Sequence, residues 1–305
     1  RGNRGNGRRG SMTLREILIR TAERLRPVSG DDANAEAREL VSFALGRRIG
    51  FSDKELTLGG DRAEKLESCI ERRLAHEPLQ YLIGEWDLMG LTFSVTPDVL
   101  IPRQDTETLC VIAERLIRER GYKRLLDLCT GSGCIGLAVG KRTGAAVTLA
   151  DISAEALAVA KTNAAALGVP ARLVQSDLFS AFGGEEFDII TVNPPYIPSA
   201  VIETLSPEVQ REPRLALDGG ADGLALYRRI REDFASHLAP GGTLLMEIGF
   251  DQGESVPALF AGTGEITLIR DDGGRDRVVT AELPDARAAE NGRRSENETF
   301  GETEC

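Results

Sequence analysis

An α/β fold built on a mostly parallel sheet is the class this sequence predicts, and three observations carry the prediction. From residue 123 onward, short runs rich in β-branched residues alternate with longer amphipathic runs, the pattern of a sheet covered on both faces by helices. Glycines, acids and prolines stand directly after the strand-like runs, where open parallel sheets place their ligands. The composition, 41% apolar and 28% charged over 305 residues, is that of an ordinary globular protein long enough for a real core.

The elements follow in order. Residues 1–11, RGNRGNGRRGS, hold four arginines and no acid or apolar side chain. They read as an appended or disordered arm, with the native start expected at Met12. Residues 12–78 read as a small helical domain. Leu14, Ile17, Leu18, Ala22 and Leu25 recur at helical spacing, and Pro27 and Gly30 are expected to break the run. DDANAEARELVSFALG opens with acids and closes at Gly46, and DRAEKLESCIERRLAHEP is a third amphipathic run stopped by Pro78. Residues 79–104 change to short alternating runs punctuated by Gly84, Gly90 and Pro97, and predict a β-hairpin connector.

The second domain is expected over residues 105–283. Asp105 is placed to cap a helix that ends at Gly121. Strands are predicted at KRLLDLC, AVTLAD, RLVQS, FDIITV, GTLLMEIG, EITLIR and DRVVTAEL, with helices between the earlier ones. The last two strands have no helix between them, which predicts an antiparallel end to the sheet. Residues 284–305 are polar and Glu-rich and predict a flexible acidic tail.

Composition also excludes. The net charge is −11, which argues against a broad phosphate-binding footprint. Five cysteines without a CxxC pair read as reduced thiols in a cytoplasm. No run approaches the ~18 apolar residues of a membrane span. With only His76 and His237, neither a zinc site nor a His-based triad is expected.

Three strand ends carry chemistry. After the first comes DLCTGSGCIG, in which Gly131, Gly133 and Gly136 satisfy GxGxxG, and Asp151 lies twenty residues beyond Gly131 at the end of the second strand. Glycines let backbone approach a ligand, and a carboxylate there accepts ribose hydroxyls. The pair fits a nicotinamide dinucleotide, and equally the loop starting at Asp127 by which methyltransferases hold S-adenosylmethionine. After the third strand stand Asp177 and Leu178. The acid is suited to accept from an adenine amino group while the leucine covers the ring, and it serves a helix N-cap as well.

After the fourth strand comes Asn193-Pro194-Pro195-Tyr196. The nitrogen of an amide, or of the exocyclic amine of a base, is a poor nucleophile because its lone pair is delocalised. The side-chain oxygen of Asn193 and the carbonyl of Pro194 can accept both N–H bonds of such a group and leave the lone pair aimed at an electrophilic methyl. The prolines stiffen the loop and remove competing donors, and Tyr196 offers a flat face. This is catalysis by positioning and electrostatics, without a strong base. A dehydrogenase has no use for the arrangement, so the methyltransferase reading prevails.

With those residues in place, the chain resembles the HemK/PrmC family of protein-(glutamine-N5) methyltransferases over nearly all of residues 13–280. The blocks that carry the resemblance are EPLQYLIGEWDLMGLTFSVTPDVLIPRQDTE, DLCTGSG, SDLF, NPPYIP, EPRLALDGGADGLALYRRI, PGGTLLMEIG and GRDRVV. The resemblance implies a Rossmann-like, class I S-adenosylmethionine-dependent methyltransferase domain with a seven-stranded sheet, preceded by a helical domain that helps recognise the substrate. It implies transfer of a methyl group from S-adenosylmethionine, leaving S-adenosylhomocysteine, to the glutamine of the GGQ loop in class I peptide chain release factors, and so a role in translation termination.

By the same resemblance, Asp127, Cys129, Thr130, Gly131, Ser132 and Gly133 form the cofactor loop, with Thr130 to Gly133 along the methionine part. Asp151 binds the ribose, Asp177 and Leu178 flank the adenine, and Asn193, Pro194, Pro195 and Tyr196 grip the substrate amide, with Asn193 also at the cofactor. Two positions depart from the family pattern. Cys129 stands where the family usually has the first glycine, and Gln104-Asp105 where it usually has Pro-Glu; roles for Arg103, Asp105 and Glu107 toward substrate compete with helix capping. Two other functions are weighed against this one. A nucleic-acid amino-methyltransferase would flip a base onto Tyr196 but needs a basic groove. A non-catalytic binding protein has no need of the intact motif set.

Overall fold

The computed structural model describes residues 12–50, 52–53 and 56–285. The predicted arm at 1–11 and nearly all of the predicted tail lie outside them. The chain divides into two compact units, one comprising the N-terminal residues to Gly84 together with Pro207–Arg211, the other the remainder.

The first unit is helical: α1 (Leu14–Ser29), α2 (Ala33–Leu45), α3 (Asp61–Leu74) and the short α4 (Leu79–Ile83). Thr13 begins α1 with a capping box, accepting from the Glu16 N–H while the Glu16 carboxylate accepts from Thr13. Pro27 does not break α1 as expected. It sits inside the last turn, where its missing N–H affects only one near-terminal bond, and the helix ends at Gly30. The core joins Leu14, Leu25, Leu40, Val41 and Ile70 with Leu79 and Leu82. Residues 79–83, expected in the hairpin connector, are therefore a helix, because their leucines bury in this core. Arg73 is buried and paired with Glu36 at 2.8 Å and with Glu208, from the returning segment, at 2.9 Å.

The second unit opens with the hairpin β1 (Glu85–Leu88) and β2 (Leu91–Ser94). A seven-stranded sheet follows, made of β3 (Arg124–Leu128), β4 (Ala146–Asp151), β5 (Ala171–Gln175), β6 (Phe187–Val192), β7 (Leu238–Glu247), β8 (Glu265–Arg270) and β9 (Asp276–Glu282). Its order is β5-β4-β3-β6-β7-β9-β8, parallel except where β9 meets β7 and β8. The mostly parallel sheet with an antiparallel end is thus present.

The helices α5 (Glu107–Arg120), α6 (Cys134–Thr143), α7 (Ala154–Leu167), α9 (Ala225–Asp233) and α10 (Ser255–Phe260) cover the sheet; α8 (Ser199–Ile202) is a single turn. Side chains alternate between faces as the pleat requires. Leu125, Leu149, Ile189 and Leu245 pack with α5, α6 and α7. Leu126, Ala150, Ile190, Leu244 and Met246 pack with α9 and α10. The chain runs outward from β3 to β5 and then returns to β6 on the other side of β3. That reversal is a topological switch point, and it opens a crevice at the carboxyl ends of β3 and β6. Among the described residues no helix is long and apolar enough to cross a membrane.

Candidate active site

A cavity of about 650 Å³ occupies this crevice. Its walls come from the predicted loops: Cys129, Thr130, Gly131 and Ser132 after β3, Asp151 after β4, Asp177 and Leu178 after β5, and Asn193 and Pro195 after β6. Parallel register aligns these strand ends, with Leu128 beside both Ala150 and Val192, and Val192 beside Met246. Asp127, Gly133, Pro194 and Tyr196 do not line the cavity.

Asp127 lies beneath the glycine loop. It is fully buried, and its Oδ2 accepts from the Thr130 hydroxyl at 2.5 Å and the Gly136 N–H at 3.1 Å, while Oδ1 accepts from the Thr191 hydroxyl at 2.7 Å. Burial pushes its carboxyl up to about 6 against those three hydrogen bonds. It ties the glycine loop to the start of α6 and to β6 from beneath. Gly136 is needed for that close approach, since a Cβ there would lie 2.5 Å from the Leu149 side chain. Asn163 of α7 adds a second tie, donating to the Ser132 carbonyl at 2.8 Å.

Cys129 answers the first departure from the family pattern. Its φ of 52° is left-handed, which explains a glycine at this position and costs a side chain about 1 kcal/mol. Burial pushes its thiol well up, so it meets the cavity as a neutral group. At Gly131 a Cβ would meet nothing within 4 Å, so the open side of the loop faces the cavity. The Asp151 carboxylate accepts from the Gly131 N–H at 2.8 Å and the Ser153 N–H at 3.0 Å, which leaves further lone pairs for hydroxyls. The buried Ser132 Oγ has no hydrogen-bond partner. An open glycine loop, a fixed carboxylate and an unsatisfied hydroxyl fit an adenosine-bearing cofactor with a charged amino-acid end. Asp177 pairs with Arg229 at 2.9 Å. Leu178, buried at a φ of 51°, holds the next turn.

On the β6 side, Asn193 begins the loop and Pro194 and Pro195 are buried. Distant segments bed this loop down. A Cβ on Gly223 would lie 2.4 Å from the Tyr196 carbonyl, and one on Gly219 2.8 Å from the Pro195 carbonyl. The Gln252 amide donates to the Tyr196 and Gly223 carbonyls, each at 3.2 Å, and its oxygen accepts from the Gly249 N–H at 3.0 Å. Burial pushes the Tyr196 phenol up. Sequence reasoning missed Gly219, Gly223 and Gln252. The glycines of LDGGADGL were the available signal, because a glycine cluster after a stiff loop marks close backbone approach.

At the second departure the structure shows what Asp105 does. Asp105 makes no cap on α5, contrary to expectation. Its carboxylate pairs instead with Arg277 of β9 at 3.0 Å. Arg103 pairs with the buried Glu212, which also accepts from the Ile101 N–H at 3.0 Å. The histidine of this unit stays away from this edge. His237 precedes β7 at the opposite end of the strand and stacks on Phe179 at 4.7 Å between centroids.

Comparison with known proteins follows the same division of the chain. Residues 16–84 match the PrmC N-terminal domain, and residues 105–206 match the methyltransferase small domain. The release factor glutamine methyltransferase of Geobacter sulfurreducens is 41% identical over 278 residues, covering 88% of this chain and 95% of the relative. The chain belongs to the release factor glutamine methyltransferase family. The enzyme of that name from Moorella thermoacetica is 42% identical over 279 residues, covering 88% of this methyltransferase and 98% of its own length. Among solved structures, the hMettl16 catalytic domain in complex with the MAT2A 3'UTR hairpin 6 shares the fold. Its TM-score is 0.51 at 15% identity, covering 78% of this chain and 88% of that one. The protein is a methyltransferase, and the fit of its glycine loop and Asp151 agrees with S-adenosylmethionine as cofactor.

Proposed function

We propose that this enzyme methylates the side-chain amide nitrogen of the glutamine in the GGQ loop of class I peptide chain release factors. Placement of Asn193 on the wall of the cavity that the glycine loop and Asp151 also line carries the reading. It is supported by relatives of about 40% identity named for release factor glutamine methylation.

Bound S-adenosylmethionine supplies an electrophilic methyl group on a sulfonium. The residues do the rest. Thr130 to Ser132 and Asp151 hold the cofactor, and Asp177 and Leu178 flank its base. Asn193 Oδ1 and the Pro194 carbonyl accept both N–H bonds of the glutamine amide and direct its lone pair. The buried, donor-poor loop keeps water from those acceptors. The amide carries one proton too many once it is alkylated, and that proton leaves to solvent or to an acceptor at this edge.

The test is incubation with isotopically labelled S-adenosylmethionine and either a release factor or DNA and RNA. Label is expected on the GGQ peptide. Label on nucleic acid but not on that peptide would replace this reading with a base methyltransferase.

A further inference from the structure

The carboxyl group of Glu247 is the one buried acid at the site that the reading above leaves without a task. Glu247 ends β7. Its predecessor Met246 pairs in parallel with Val192, the residue before Asn193, so Glu247 and Asn193 are adjacent on neighbouring strand ends. Its side chain shares the face of Leu245, toward α5, as the pleat dictates. It is 1% exposed, and its Oε2 has no hydrogen-bond partner. The polar side chains beside it are Thr106 and Asn193.

A carboxylate accepts and does not donate. A carboxylate beside an amide therefore selects its NH2 end and turns the carbonyl end away, and Asn193 lines the cavity. A buried acceptor left unpaired costs free energy, so this orientation is favoured even before substrate arrives. We propose that Glu247 is a positioning residue for the transfer: its carboxylate accepts from the side-chain N–H of Asn193 and holds Asn193 Oδ1 toward the substrate amide. The inference rests on the role given to Asn193 above.

Burial raises the Glu247 carboxyl to about 7, with Thr106, Arg277 and Asn193 opposing the shift and Asp105 adding to it. Arg277 is itself engaged by Asp105 and Asp271, at 3.0 and 3.2 Å. Tyr196, Tyr227, Cys110 and Cys134 also feel the Glu247 charge. Burial raises all four of these groups, so they stay neutral over the same range. Protonated Glu247 becomes a donor and competes for the Asn193 oxygen, so turnover should rise as pH rises through that range.

The test is Glu247→Gln in the full chain. Its kcat should fall roughly tenfold to a hundredfold, its affinity for S-adenosylmethionine should stay within about twofold, and the rise of kcat near neutral pH should disappear. An unchanged kcat and pH profile would overturn the proposal. A second measurement does not depend on that variant folding. In the ¹⁵N-labelled wild-type protein, the Asn193 NH2 signal, assigned by its loss in Asn193→Ala, should move with pH between about 5.5 and 8.5, and a signal that does not move overturns the proposal. Retained turnover in Asn193→Ala would remove the underlying reading and this one together. Lost turnover in Asn193→Ala with full turnover in Glu247→Gln would remove only the role of Glu247.

Discussion

Two stretches of one sheet edge meet at the cavity, and they are built by different means. On the β3 and β4 side the site is local backbone: a glycine loop, a carboxylate at the next strand end, and Asp127 tying the loop down within ten residues on one side. On the β6 and β7 side the loop is stiff but holds few bonds of its own. Its carbonyls are bedded on Gly219, Gly223 and Gln252, from segments well downstream in the chain. The difference fits the task proposed for each side. A cofactor that is always the same suits a compact local cradle. A substrate amide needs two acceptors aimed to within fractions of an ångström, and support from several directions supplies that aim.

The sharpest way to break this comparison is Asn193→Ala. Turnover should fall about a hundredfold or more, the scale of removing one preorganised polar group from a reacting centre, while affinity for S-adenosylmethionine stays close to wild type. Stopped-flow or radiometric turnover beside calorimetric binding reads both quantities. Equal losses in the two would mean that the halves of the edge do not divide their tasks.

Gln252→Ala tests the bedding directly. It leaves the Tyr196, Gly223 and Gly249 backbone groups without their partner, at a cost of about 1–3 kcal/mol in stability. Turnover should drop more than cofactor affinity. Denaturant unfolding together with a kinetic assay decides it, and a variant with weakened cofactor binding but normal kcat would contradict the division.

On the cofactor side, Gly136→Ala forces a methyl to 2.5 Å from Leu149 and 3.0 Å from the Asp127 Cβ, an overpacking worth about 1–3 kcal/mol. Gly131→Ala meets open space but sits at a φ of 53°, so its cost should be near 1 kcal/mol. Gly136→Ala should lower the melting temperature more, and Gly131→Ala should lower cofactor affinity more. Reversal of that order would show that the loop is shaped by something other than its contact with β4.

The last expected effect concerns pH. Asp127 and Glu247 are raised by burial from 3.8 to about 6 and from 4.5 to about 7. The folded state therefore keeps protons that the unfolded chain has already released. These two groups favour folding fully below their unfolded values and lose that contribution as pH rises through the folded ones. Chemical denaturation from about pH 4 to pH 8 should show stability falling across this window, with a shallower slope in Glu247→Gln. An unchanged slope in that variant would mean the Glu247 carboxyl is not raised.

Much of this was legible because it is local. The strands show as β-branched runs, the helix ends as glycines, and the cofactor loop as glycines followed at fixed spacing by Asp151. Cys129, Thr130, Gly131, Ser132, Asp151, Asp177, Leu178, Asn193 and Pro195 all reach one cavity, because parallel strands bring their carboxyl ends to the same edge whatever separates them in sequence. The misplacements have separate causes. Residues 79–83 were expected to belong to a hairpin, but burial of their leucines against the helical core outweighed local preference, while Pro27 fits the last turn of α1, where its missing N–H costs only one near-terminal bond. Asp105 has the chemistry of a cap, yet Arg277, far along the chain, takes its carboxylate.

The sequence by itself determined the fold class, the glycine loop with its acids at the strand ends, and the residue types on which the proposed chemistry at Asn193-Pro194-Pro195-Tyr196 rests. Spacing and residue type are enough wherever one segment supplies both the shape and the functional atoms. Only the tertiary structure decided that Asp127 holds the glycine loop without lining the cavity, that Gly219, Gly223 and Gln252 bed the loop after β6, and that Glu247 lies beside Asn193. Those facts depend on which strands are neighbours and which face of the pleat each side chain takes, and no local run of residues encodes either.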